Sequence, residues 1–156
     1  MDYEEAVTRS ATSLSVLLFM LGFGVVAFTG VALALGPLDP SGAENMSVLR
    51  WVVLAMPFIE LPPIALLWSQ FSRRVAEGDD WQARLTALRS RTIVIGAMFE
   101  APALLGAIVI LLTGFNWQAM PALAMFLIGL AVLLPLKGRI MKAIGREDGG
   151  SYDEYS

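Results

Sequence analysis

Four long apolar blocks constrain what this chain of 156 residues can fold into. They run from about residue 12 to 35, from 48 to 69, from 92 to 113 and from 117 to 136. A helix needs about 20 predominantly apolar residues to cross the hydrocarbon core of a bilayer, and each block has that length. The composition, with 56% hydrophobic and 16% charged residues, is also that of an integral membrane protein. The blocks predict an all-α protein in which residues 1–145 form a single four-span transmembrane domain in the lipid bilayer.

The first block is also compatible with a cleavable signal peptide, because "ALALG" near its end contains the small-residue pattern of a cleavage site. The preceding segment, "MDYEEAVTRS", is acidic where a signal peptide is basic. The apolar run is also longer than the roughly 7–15 residues of a typical signal. We therefore interpret this block as a retained span.

Lysine and arginine are distributed unevenly between the two sides of the predicted membrane. Only Arg50 lies on one side, at the start of the second block. The basic residues of the other side are Arg9, Arg73, Arg74, Arg84, Arg89, Arg91, Lys137, Arg139, Lys142 and Arg146. Cytoplasmic loops carry the excess of positive charge. The sequence therefore predicts an up-down-up-down four-helix bundle with both termini in the cytoplasm.

Two polar segments lie outside the apolar blocks, one between the second and third blocks and one after the fourth. The segment "DDWQARLTALRSR" predicts a short surface helix that leads into the third span, with Asp79 or Asp80 as its N-cap. Its arginines are explained by topology, and a patch that binds anionic lipid or a partner is the alternative. The acidic tail, residues 146–156, is predicted to be disordered.

Histidine and cysteine are absent from the sequence. The chain therefore lacks the usual axial ligands of haem, a thiolate metal site and a Cys/His nucleophile pair. No glycine-rich phosphate loop follows a strand pattern. We expect no cofactor, no enzymatic activity and no nucleic-acid partner, whereas a homo-oligomer or a larger membrane complex is compatible with the sequence.

Two glutamates interrupt the apolar blocks in the same local pattern. Glu60 in "FIELPPIALL" and Glu100 in "MFEAPALL" are each followed at the second position by a proline. A charge at the centre of a bilayer costs at least about 2.5–3.5 kcal/mol, so such residues face the bundle interior or water. Glu60 lies nine residues before the end of its block and Glu100 eight after the start of the next. On antiparallel helices this predicts similar depth.

The residues around the glutamates suggest what they bind. Pro62, Pro63 and Pro102 each remove one helical hydrogen bond. The carbonyl groups released in this way belong to Phe58, Ile59 and Met98. Small residues at helical spacing around Glu100 predict the close approach of another helix: Gly96, Ala97, Ala103 and Ala107.

The third block, "RTIVIGAMFEAPALLGAIVILLTG", resembles the carboxylate-bearing helix of the ATP synthase proteolipid, or c subunit. In that family an acidic residue followed closely by alanine and proline carries the translocated ion. The resemblance implies that Glu100 carries an ion and that Gly96, Ala97 and Gly106 form the packing surface of its helix.

The whole chain resembles an uncharacterised group of small bacterial four-span membrane proteins. The resemblance is carried by Arg91 before the third span, Glu100 within it and "LLTGFN" after it. It implies a four-span fold and a bacterial cytoplasmic (inner) membrane location.

Three functional hypotheses follow. The leading one is that Glu60 and Glu100 lie close together as a pair, and that their oxygens and the released carbonyls bind or relay protons or a small cation, with the ion left open. The alternative is a non-catalytic accessory or scaffold subunit of a membrane complex, in which the glutamates serve helix packing. An intramembrane enzyme ranks third, because paired carboxylates can act as acid and base but no nucleophile accompanies them.

Overall fold

The computed structural model describes residues 3–38 and 46–145, so the predicted disordered tail lies outside the described residues. All regular structure in these ranges is helical, which confirms the all-α prediction. A 3-10 turn, Trp117–Ala119, precedes the fourth helix. The α-helices are α1 Tyr3–Leu35, α2 Ser47–Ala76, α3 Trp81–Thr113, α4 Met120–Leu133 and α5 Lys137–Ile144.

Three of these helices are long and apolar enough to cross a membrane: α1, α2 and α3. They extend beyond the predicted blocks at the ends where the basic residues lie. The predicted surface helix is the first part of α3 and continues into the apolar block without a break, because no glycine or proline separates the two. Its N-cap prediction is confirmed, since the Asp80 carboxylate accepts a hydrogen bond of 2.6 Å from the backbone N–H of Ala83.

The fourth block was predicted to be one continuous helix, and this prediction is wrong. Its helix ends at Leu133 and is followed by α5, whose axis is bent by 63° relative to the preceding helix. Pro135 explains the break, because a proline drives the residue before it out of the helical region, and Leu134 has ψ 117°. At about 1.5 Å per residue, with about 2 Å for the 3-10 residues, Trp117–Leu133 is roughly 27 Å long.

The core consists of apolar clusters distributed along the helices. At one end, Val7, Val75, Leu85 and Ile140 belong to one cluster. Helices α1 and α3 begin at this end, α2 ends there and α5 lies there. We call it the basic end, because these segments carry nearly all of the lysine and arginine residues. At the other end, the buried residues Ala32, Val53, Val109 and Ala119 belong to a second cluster. Consecutive long helices therefore run in opposite directions.

Helix α3 is the centre of the packing. It contacts α1, α2 and α4, whereas α1 and α4 contact each other little. In the most apolar 18-residue stretch of α3, 44% is buried, whereas the corresponding stretches of α1 and α2 are each 17% buried. Any functional group on α3 is therefore close to several helices, and its position around the helix decides which one it faces.

Candidate functional site

The register between α2 and α3 fixes the level of the two glutamates. Val53 packs beside Gly106, and the Trp68 ring lies against the Arg91 guanidinium. On two antiparallel helices, residues at the same level have residue numbers with a constant sum, which is 159 for both pairs. The numbers of Glu60 and Glu100 add up to 160, so the structure places these two residues at the same level.

Glu60 lies on the interior face of α2. At about 100° per residue it is only about 20° around the helix from Val53 and about 40° from Ile64, and both of these side chains are buried. Its carboxylate oxygen Oε2 is buried and has no hydrogen-bond partner among the described residues. A buried polar atom without a partner costs roughly 1–3 kcal/mol.

Glu100 faces a different neighbour. Arg91 marks the α2-facing side of α3, since it contacts Trp68, and Glu100 is about 180° around the helix from it. On the Glu100 side, Gly96 packs against Leu18 of α1 and near Leu133 of α4. The small-residue face predicted around Glu100 therefore admits α1, with Ala103 and Ala107 buried and Ala97 exposed.

The structure thus places the two glutamates at the same level of the bundle, but their side chains do not face each other. Both side chains are partly buried. Within residues 3–38 and 46–145, neither forms a hydrogen bond or an ion pair. The α3 helix lies between the Glu60 side chain and the face that carries Glu100.

The predicted carbonyl ligands divide in the same way. The helices α2 and α3 continue through their internal prolines. The Phe58 and Ile59 side chains are 66% and 64% exposed, so the carbonyls released by the two adjacent prolines lie on the outward side of α2. Pro102 is buried, and Met98 lies only about 20° around α3 from Arg91, which contacts Trp68 of α2. The released carbonyl of Met98 therefore lies toward α2, at the level of Glu60.

A further proline of this kind lies outside the E-x-P pattern. Pro57 is buried on the interior face of α2 and releases the carbonyl of Val53. Helical side chains lean toward the N-terminus of their helix, so Glu60 leans toward Pro57. The Glu60 carboxylate and the released Met98 carbonyl consequently lie at one level of the α2–α3 interface, whereas Val53 lies seven residues, or roughly 10 Å, nearer the N-terminus of α2. An E-x-P search could not find Pro57, because it precedes the glutamate.

The arginines do more than the sequence indicated, because several hold helix ends together. Arg84, only 8% exposed, donates from Nε to the Gly78 carbonyl at 2.9 Å and from Nη1 to the Ile144 carbonyl at 3.2 Å. It therefore links the α2–α3 turn to the end of α5. Arg50 donates to the Thr113 carbonyl at 3.4 Å, at the C-terminus of α3.

Arg91 forms a second polar cluster, at the break between α4 and α5. Its guanidinium lies 4.4 Å from the ring centroid of Trp68 and donates to the Ser72 hydroxyl at 3.3 Å. A cavity of about 70 Å³ next to it is also lined by Pro135 and Arg139. Cation–π contact stabilises such a partly buried guanidinium, whereas its buried Nε atom has no hydrogen-bond partner among the described residues.

No group of three or more acidic side chains that could hold a metal ion occurs among the described residues, which contain no histidine or cysteine. Comparison with known proteins adds no further assignment to this site. No protein-family model, no curated protein and no solved structure matches the chain.

Proposed function

We propose that the protein is a multi-pass protein of a bacterial cytoplasmic membrane with four spans in up-down-up-down order. The three long apolar helices support this, and Trp117–Leu133 supplies a fourth span close to the roughly 30 Å of a hydrocarbon core. Helix α5 carries Lys137, Arg139 and Lys142 on its exposed surface and buries Ile140 and Ile144, as expected of a helix at the interface. Positive charge at the basic end assigns both termini to the cytoplasm.

Within this membrane protein, we propose that Glu60 is the centre of a site that binds or relays a proton or a small cation. The observation that carries the proposal is the buried Oε2 atom of Glu60, which has no partner among the described residues. The released carbonyl of Met98, at the level of Glu60, is the additional oxygen ligand. Broken helical hydrogen bonding next to a carboxylate is how several membrane transporters build ion sites.

Glu100 is proposed as a second, separate carboxylate of the same function. The resemblance of its helix to the ATP synthase proteolipid supports an ion-carrying role. Its position on the α1 side of α3 means that it would exchange protons on that side of the helix and not directly with Glu60. The proposal assigns no enzymatic activity and no cofactor.

The experiment compares Glu60→Gln with Glu100→Gln in proteoliposomes that contain a pH-sensitive dye. Glutamine keeps the size and hydrogen-bonding capacity of glutamate but cannot carry a titratable proton. We expect Glu60→Gln to abolish proton flux or pH-dependent cation binding while leaving folding intact, and Glu100→Gln to lower it. Glu77→Gln, at an exposed carboxylate beyond the end of α2, is the matched control and should have no effect.

The alternative function is a non-catalytic accessory or scaffold subunit. It is favoured by an apolar groove between α1 and α4, where Phe19, Phe23 and Leu127 are exposed. In that case both glutamine variants keep their stability and their partners, and wild-type protein shows no flux under any pH gradient. That combined result would refute the ion site and leave the accessory role standing.

A further inference from the structure

A polar cleft of about 450 Å³ opens between α1 and α3 at the basic end. Trp81 and Leu85 form part of its wall. The two helices contribute polar side chains at helical spacing, so each presents a stripe to the cleft. These are Arg9, Ser10 and Ser13 from α1 and Gln82, Thr86 and Arg89 from α3.

The two arginines of the cleft are available for a ligand. Arg9 and Arg89 are exposed, and neither forms a hydrogen bond or an ion pair in the described part of the chain. By contrast, Arg84 and Arg91 already donate to protein oxygens. The cleft therefore brings together two uncommitted guanidinium groups.

The remaining polar groups complement an anion. Ser10 is only 5% exposed, and its hydroxyl lines the cleft without a hydrogen bond to another described residue. No carboxylate of the described residues lines the cleft itself. Glu4 and Glu5 lie one turn earlier and line a separate depression, to which Arg9 also contributes. The cleft thus offers several donors and concentrates positive charge.

The cleft lies where both helices change from polar to apolar. One turn beyond its polar side chains, the exposed residues on the same faces are Leu17 of α1 and Ile93 of α3. Each follows a cleft residue, Ser13 or Arg89, by four positions. An anion bound in the cleft would therefore lie at the depth of lipid headgroups and next to apolar surface.

We propose that this cleft binds the phosphate group of an anionic phospholipid from the cytoplasmic leaflet. Arg9 and Arg89 donate to the phosphate oxygens, Ser10 donates a further hydrogen bond, and the acyl chains lie along Leu17 and Ile93. Guanidinium groups suit this role because their planar donors match phosphate oxygens in pairs. The inference rests on the proposed membrane insertion and its orientation, but not on the Glu60 site.

The test is a titration of the full chain in detergent micelles with short-chain phosphatidylglycerol, in which bound lipid is counted by native mass spectrometry. Short-chain phosphatidylcholine is the zwitterionic comparison. The variant Arg9→Gln/Arg89→Gln is set against Arg73→Gln/Arg139→Gln. The control pair removes the same charge from exposed arginines at the same end of the protein. Helical circular dichroism verifies that each variant is folded.

A single basic residue near an anionic surface contributes about 1 kcal/mol, or roughly fivefold in affinity. We expect the cleft variant to bind phosphatidylglycerol at least about tenfold more weakly than wild type, with a clearly smaller loss in the control pair. Arg9→Lys/Arg89→Lys, which keeps the charge, should recover only part of the affinity.

Equal losses in the two glutamine variants would show diffuse attraction and overturn the proposal. Complete displacement of the lipid by inorganic phosphate would assign the cleft to a soluble phosphate and overturn its lipid identity. Proton flux through the Glu60 site is measured separately, so failure of either proposal is distinguishable from failure of the other.

Discussion

Gly129 of α4 is the position where the structure leaves the least room for an added methyl group among the described glycines. A Cβ built on Gly129 would lie 2.5 Å from Cδ2 and 2.7 Å from Cγ of Phe99. The Cγ atom is close to the backbone of α3, so the ring cannot simply swing aside. Gly129→Ala must therefore push α4 and α3 apart or force Phe99 out of its rotamer.

The expected magnitude combines two opposing effects. Overpacking of this kind costs about 1–3 kcal/mol, whereas replacing glycine by alanine inside a helix contributes up to about 1 kcal/mol of stability. Gly24→Ala isolates the second effect, because nothing lies within 4 Å of a Cβ at Gly24. We expect Gly129→Ala to be less stable than Gly24→Ala by about 1–3 kcal/mol.

The assay is reversible unfolding in mixed micelles, followed by the loss of helical circular dichroism as the denaturing detergent is increased. A double-mutant cycle with Phe99→Leu tests the cause, since a smaller side chain should recover most of the loss. Equal stability of Gly129→Ala and Gly24→Ala would refute the close packing of α3 and α4 at this level. A destabilised variant that Phe99→Leu does not rescue would refute the role of the ring.

Two further predictions concern the basic end and the topology. Arg84→Ala should lower the free energy of unfolding by roughly 3 kcal/mol, because two carbonyls lose hydrogen bonds to a charged donor. Arg73→Ala, at an exposed side chain, is the control. An equal effect of both substitutions would contradict the link between the α2–α3 turn and α5. The chain has no cysteine, so single cysteines can be placed at the exposed positions Phe115 and Gln82. A membrane-impermeant reagent should label position 115 from outside, and position 82 only after permeabilisation. The reverse pattern would overturn the proposed orientation.

Several features could be predicted from local sequence. The lengths of the apolar blocks predicted the long helices, because the number of residues sets the rise of a helix. Asp79 or Asp80 was predicted as a helix cap from its position before a helix-forming segment, since capping involves only neighbouring residues, and the structure selects Asp80. The break after Leu133 also had a local signal, Pro135, which the block boundaries overlooked.

By itself, the sequence determined that the protein is helical and where its long helices lie, because these depend only on counting residues along a helix, and it predicted similar depth for Glu60 and Glu100. Only the tertiary structure decided the register that places them at one level and which neighbour each glutamate faces. These helices are apolar on nearly all sides, so their sequence does not distinguish an interior face from an outer one. Packing placed α3 at the centre, directed Glu60 and the released Met98 carbonyl into the α2–α3 interface, and turned Glu100 toward α1.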